Sequence, residues 1–141
     1  MSRARALAFA LTVLAAPLAG AGEAPFLVTA EWEPAGAKRP GAVVLRFSPD
    51  AEDLRVNRVP APRIEWPQGV GAVPAPAPGE ARPVSAVPGE PDYLADGEAY
   101  RLYFANAPAK GRVEGKVVFF YCSKNAGWCK KGVSPVSLVL P

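Results

Sequence analysis

Two cysteines, Cys122 and Cys129, are the residues of this chain best suited to chemistry. They stand in a C-x6-C arrangement, Cys122-Ser-Lys-Asn-Ala-Gly127-Trp128-Cys129, and the chain has no other cysteine and no histidine. The apolar run Val117-Val118-Phe119-Phe120-Tyr121 leads into the first sulfur, and Lys130-Lys131 follows the second. Such a pair supports either a structural disulfide or reversible exchange, in which a thiolate attacks a sulfur and a mixed disulfide forms. Lys124, Lys130 and Lys131 place positive charge near the sulfurs, which favours a thiolate. Gly127 and Trp128 would let a partner come close to Cys129.

A lone pair of cysteines in a small exported domain is usually a staple. Closing a loop of about 8 residues contributes roughly 2.5 kcal/mol by chain entropy. Against that, the bridge would join the two ends of a hairpin turn that already constrains the chain. The residues alone leave both readings open.

Other chemistries find less material. Zinc and copper sites want histidine, methionine or more cysteines, and Met1 is the sole methionine. A serine or cysteine hydrolase lacks its histidine base. Nothing picks out a catalytic pair among the 13 acidic residues, and the glycine-rich pieces follow no phosphate-binding pattern. No cofactor and no metal is expected.

The compartment bears on the cysteines. Arg3 and Arg5 precede an apolar stretch from about Ala6 to Ala16, then Pro17 and Ala19-Gly20-Ala21. This is the pattern of a cleaved export signal over residues 1–21, with a mature chain, 22–141, starting near Gly22. The stretch is shorter than the roughly 20 residues of a membrane-spanning helix. No later segment is apolar enough, so no integral membrane segment is expected. The expected location is periplasmic or otherwise extracytoplasmic, where a cysteine pair can be oxidised. The formal charge of +3 includes Arg3 and Arg5. Without them the chain is close to neutral and shows no basic stripe of the kind that binds nucleic acid.

The elements that must hold the pair read as strands. The 17 prolines and 13 glycines oppose long helices. Residues 26–32 alternate, with Val28, Ala30 and Trp32 on one face. Further runs cover 42–47 (Val43, Leu45, Phe47), 63–66, 98–104 (Tyr100, Leu102, Phe104), 113–121 and 134–140 (Val136, Leu138, Leu140). Period-two alternation between turn residues predicts one antiparallel β-sandwich. Residues 66–93, with Pro74-Ala-Pro-Ala-Pro78 inside, read as a Pro/Gly-rich surface loop.

The segment from Val117 to Cys129, ending Gly127-Trp128-Cys129, resembles the cysteine hairpin of the N-terminal periplasmic domain of the thiol–disulfide interchange protein DsbD. Asp92-Tyr93-Leu-Ala-Asp-Gly-Glu98-Ala-Tyr100-Arg101 is similar to that family's acidic and aromatic cap loop followed by Glu-x-Tyr-Arg. The cysteine loop is one residue longer than the family's, and the cap segment about one shorter. Lys130-Lys131 stands in place of an aromatic-proline continuation. The resemblance implies an immunoglobulin-like sandwich with Cys122 and Cys129 as the redox pair. Cys129 would join to partners, and Asp92 and Tyr93 would shield the sulfurs. It implies part of a protein-disulfide reductase system, taking electrons from a separate membrane thiol carrier and passing them to oxidised extracytoplasmic thioredoxin-like proteins. The competing expectation is a non-enzymatic secreted binding or assembly domain with a purely structural disulfide.

Export is checked by mass spectrometry of the extracytoplasmic fraction. The expected product starts near Gly22; a cytoplasmic chain that keeps Ser2 would remove the compartment argument.

Overall fold

The computed structural model describes residues 24–76, 86–87, 90–108 and 110–141. The export signal 1–21, Gly22 and the middle of the proline-rich stretch lie outside the described residues. Among the described residues there is no helix, and all strand pairing is antiparallel.

The strands are β1 (Phe26–Glu33), β2 (Gly41–Pro49), β3 (Leu54–Val56), β4 (Arg63–Glu65), β5 (Ala86–Val87), β6 (Glu90–Leu94), β7 (Tyr100–Phe104), β8 (Gly111–Ser123) and β9 (Trp128–Leu140). One sheet has the order β1-β2-β7. In a second, β8 is central: β9 runs along one side of it, and β3 and β4 follow one another along the other side, while β5 and β6 pair as a separate two-stranded sheet. The result is the expected all-β, antiparallel sandwich.

Alternation builds the core. Val43, Leu45 and Phe47 of β2 meet Val117, Phe119 and Tyr121 of β8 and Val136, Leu138 and Leu140 of β9. Tyr100 and Leu102 pack against this cluster from its margin, half-buried, while Phe104 is buried. Phe119 is fully buried, with its ring 4.9 Å from Phe47 and 5.4 Å from Phe26. Its cross-strand partner on β9 is Gly132, and a Cβ there would come within 2.7 Å of the Phe119 ring and 3.0 Å of Ala24. Glycine at this position is therefore a matter of space.

Three elements differ from the sequence expectation. The last strand begins at Trp128 rather than Ser134, because its first residues gain their place by pairing with β8. Strand β3 lies in a charged stretch with little alternation to announce it, yet Leu54 and Val56 are buried. The stretch 66–93 is more than a loop. Ala75 N–H donates to Tyr103 O at 2.9 Å and Ala105 N–H to Val73 O at 2.8 Å, with Pro74 bridged to Phe104. A proline fits there because it sits on an edge and its neighbours supply the bonds. Further on, β6 begins at Glu90.

Gly132→Ala is expected to lower the melting temperature and cost about 1–3 kcal/mol, the range for overpacking a filled core. Thermal or denaturant unfolding measures it. An unchanged melt would mean that Phe119 can move aside and does not organise the core.

Candidate functional site

The two cysteines close the β8–β9 hairpin. Cys122 and Cys129 are directly opposed in register and joined as a disulfide, with Cα atoms 4.0 Å apart. So short a distance belongs to the closer, non-hydrogen-bonded kind of cross-strand pair. The loop Lys124–Gly127 turns the chain, and Gly127 takes φ +70°, where a side chain would be strained. Gly127 N–H donates to Ser123 O at 2.9 Å.

The tip is latched from β3's side. The Ser123 hydroxyl donates to the Asp53 carboxylate and accepts from Ala126 N–H at 3.0 Å, and Lys124 N–H donates to Asp53 O at 3.0 Å. Nothing in the sequence near the cysteines points to Asp53, which lies far upstream.

Strand alternation sorts the surroundings into two faces. Tyr121, Trp128 and Lys130 belong to the inner side: Trp128 stands edge-on to Tyr121 at 5.8 Å, and the Lys130 ammonium lies 4.3 Å over the Trp128 ring. This corrects two expectations. Lys130 does not attend the sulfurs, and Trp128 is held against Tyr121 rather than offered to a partner. Both follow from period two, which sends residues 128 and 130 to the face opposite Cys129. Lys131, next in line, shares the face of Cys129 and is exposed.

On the outer face the sulfurs are unequal. Cys122 is buried at 5% exposure, whereas Cys129 is exposed. Arg55 of β3 stands directly opposite Cys122. Diagonal to it is Asn57, whose Oδ1 lies 3.3 Å from Cys122 Sγ. Asn57 N–H donates to Phe120 O at 2.8 Å, and on its other side Asn57 bridges to Tyr93. Cross-strand partners share a face, so Tyr93, Asn57 and Cys122 lie on one surface, with Asn57 in the row between. Neighbouring strands are about 4.8 Å apart, which puts Tyr93 roughly two strand spacings from Cys122.

The 92–98 segment is clamped there. Arg58 N–H donates to Asp92 O at 2.7 Å, and Arg58 Nε to Tyr93 O at 3.2 Å. Arg58 Nη2 also grips Glu98 through both oxygens, at 2.8 and 3.1 Å, and Glu98 Oε2 accepts Ala95 N–H at 2.7 Å. The Arg58–Glu98 pair is nearly buried, with side chains 12% and 9% exposed. A pair so placed is costly to break from one side, since the other charge would be stranded. Asp92 itself is exposed; alternation turns its side chain away from the Tyr93 face, and its backbone carbonyl makes the contact.

No family model matches the chain, and neither a curated protein nor a solved structure does. Among the described residues no three or more His, Cys, Asp or Glu side chains gather as metal ligands, and no helix is long and apolar enough to cross a membrane. The arrangement offers a disulfide that joins an exposed cysteine to a buried one.

If Tyr93 shields that bond, Tyr93→Ala speeds reduction by a small thiol and leaves the melt nearly unchanged, because exchange requires the attacking thiolate to reach a sulfur. Equal reduction rates for variant and wild type would remove the shielding role.

Proposed function

We propose that this chain is an extracytoplasmic thiol–disulfide exchange domain. Its Cys122–Cys129 pair takes reducing equivalents from a membrane thiol carrier and passes them to oxidised exported proteins, thioredoxin-like ones among them. The observation that carries this reading is the inequality of the sulfurs: Cys129 is exposed while Cys122 is buried at 5%. An incoming thiolate has a target on one side only. The resemblance of the cysteine hairpin and of the Asp92–Arg101 segment to the N-terminal domain of DsbD supports the same reading, as does the signal-like start of the chain.

The step balances with a dithiol partner. Its thiolate attacks Cys129 Sγ, the Cys122–Cys129 bond breaks, and Cys122 leaves with the electron pair and takes up a proton. The partner's second thiolate then attacks its own sulfur in the mixed disulfide and releases Cys129. The partner is oxidised and the pair reduced; the reverse sequence delivers the electrons to an oxidised protein.

The second reading, a secreted binding or assembly domain with a structural bridge, is favoured by the direct opposition of the two cysteines in a continuous ladder. A redox titration of the purified domain separates the two. Exchange proteins titrate at roughly −120 to −270 mV, whereas structural disulfides fall below about −300 mV. Cys122→Ser combined with Cys129→Ser is expected to keep its far-ultraviolet dichroism and a cooperative melt, losing at most about 2.5 kcal/mol. Unfolding on reduction at room temperature would hand the case to the structural reading.

A further inference from the structure

Asn57 lies on β3's continuation, fixed from both sides: its N–H is bonded to Phe120 O of β8 at 2.8 Å, and its residue pairs with Tyr93 of β6. Its side-chain oxygen approaches Cys122 Sγ at 3.3 Å. In the disulfide that sulfur carries no hydrogen, so the approach is an oxygen facing a sulfur. Reduction changes its nature. The new Cys122 S–H is a donor, and it forms beside an acceptor already in place. This hydrogen bond exists only in the reduced protein, so it favours reduction and favours the thiol at Cys122 over its thiolate. Cys129 is exposed, and water solvates its thiolate.

We propose that Asn57 is a positioning residue that holds reduced Cys122 as a thiol and thereby makes Cys129 the sulfur that attacks. The inference rests on the exchange reading, because the asymmetry matters only if the bond opens and closes. Around the pair the charged and titratable groups of this face are Arg55, Lys131 and Tyr93, with Lys124 in the turn that follows Ser123, while Arg63, Glu65 and Lys116 lie further along the sheet. Arg55 stands opposite Cys122 on β3, where it is occupied by Glu52 O and Leu54 O at 2.7 and 2.9 Å and by Asp96 at 3.9 Å. Lys131 of β9 lies one step of the face beyond Cys129, and Tyr93 of β6 lies beyond Asn57. Arg55 and Lys131 would favour thiolates; the Asn57 oxygen opposes this at Cys122 alone.

The test compares wild type, Asn57→Ala and Asn57→Asp by equilibrium against dithiothreitol, with iodoacetamide labelling of each cysteine of the reduced protein followed by mass spectrometry across pH. In wild type Cys129 should label first and Cys122 only at higher pH. Asn57→Ala deletes the acceptor. The ratio of reduced to oxidised protein at a given dithiothreitol poise should fall about three- to tenfold, as for one neutral hydrogen bond, or about 15–30 mV. Cys122 labelling should move to lower pH. Asn57→Asp keeps the shape and makes the acceptor anionic, so both shifts should reverse. A purely structural role would change the melt of the oxidised protein and leave these quantities where they were.

If the two variants shift the same way, or neither shifts while both melt cooperatively, the inference is overturned. Should Asn57→Ala fail to fold, the near-isosteric Asn57→Asp decides alone. The dithiothreitol equilibrium needs no protein partner. A shift at Asn57 in a pair whose potential lies in the structural range would sink the exchange reading and leave the Asn57–Cys122 bond standing.

Discussion

The ring of Phe119 organises this domain. It is fully buried between the sheets, against Phe47 and Phe26 on one side and over Gly132 on the other. That one ring couples three elements: β2 and β1 of the first sheet and the β8–β9 hairpin of the second. From it the aromatic contact continues to Tyr121 at 5.9 Å and from Tyr121 to Trp128 at 5.8 Å. The inner face of the hairpin is thus packed almost to its tip. A hairpin held so firmly from inside can present its outer face without further support, and the outer face carries the sulfurs.

The inequality of the two cysteines follows from this frame. Cys122 and Cys129 are opposed, so pleating gives them the same face. What distinguishes them is the neighbour on the other side. Cys122 belongs to β8, which β3 flanks, with Arg55 opposite and Asn57 diagonal to it. Cys129 belongs to β9, which pairs with β8 alone among the named strands. Central strand and edge strand therefore become buried sulfur and exposed sulfur. The Asp53–Ser123 latch fixes β3 to the tip and so maintains the difference.

Much of the frame was legible in residue order because it rests on local alternation. Strands β1, β2 and β7 announce themselves by apolar residues at every second position, β8 by a dense run of valines and aromatics, and the cysteine pair by its isolation in composition. The parts that stayed hidden rest on distant partners. Leu54–Val56 is too short to show a period, and Lys130-Lys131 shows no alternation although pairing with β8 makes it part of a strand. Asp53, Asn57 and Arg58 belong to the site through contacts 65 or 70 positions away in the chain for the first two, and 35 or 40 for the third. No spacing rule reaches that far. Glu98 stands in a Glu-x-Tyr-Arg motif, but its work as the anchor for Ala95 and Arg58 depends on the fold.

A covalent bond at the end of this hairpin adds little order. Its strands are each 13 residues long and paired throughout, and the loop is already closed by Gly127 N–H on Ser123 O and by the Asp53 contacts. The chain-entropy gain of roughly 2.5 kcal/mol assumes that the unlinked ends wander freely. Hairpin structure persisting in the unfolded ensemble would reduce that gain. By contrast, each large buried side chain of the aromatic core contributes on the order of 1.5–3 kcal/mol before entropy is counted, and none of that depends on the sulfurs. On the exchange reading proposed above, a disulfide that the aromatic core does not depend on, joining an exposed cysteine to a buried one beside the Asn57 oxygen, is one the fold can survive opening.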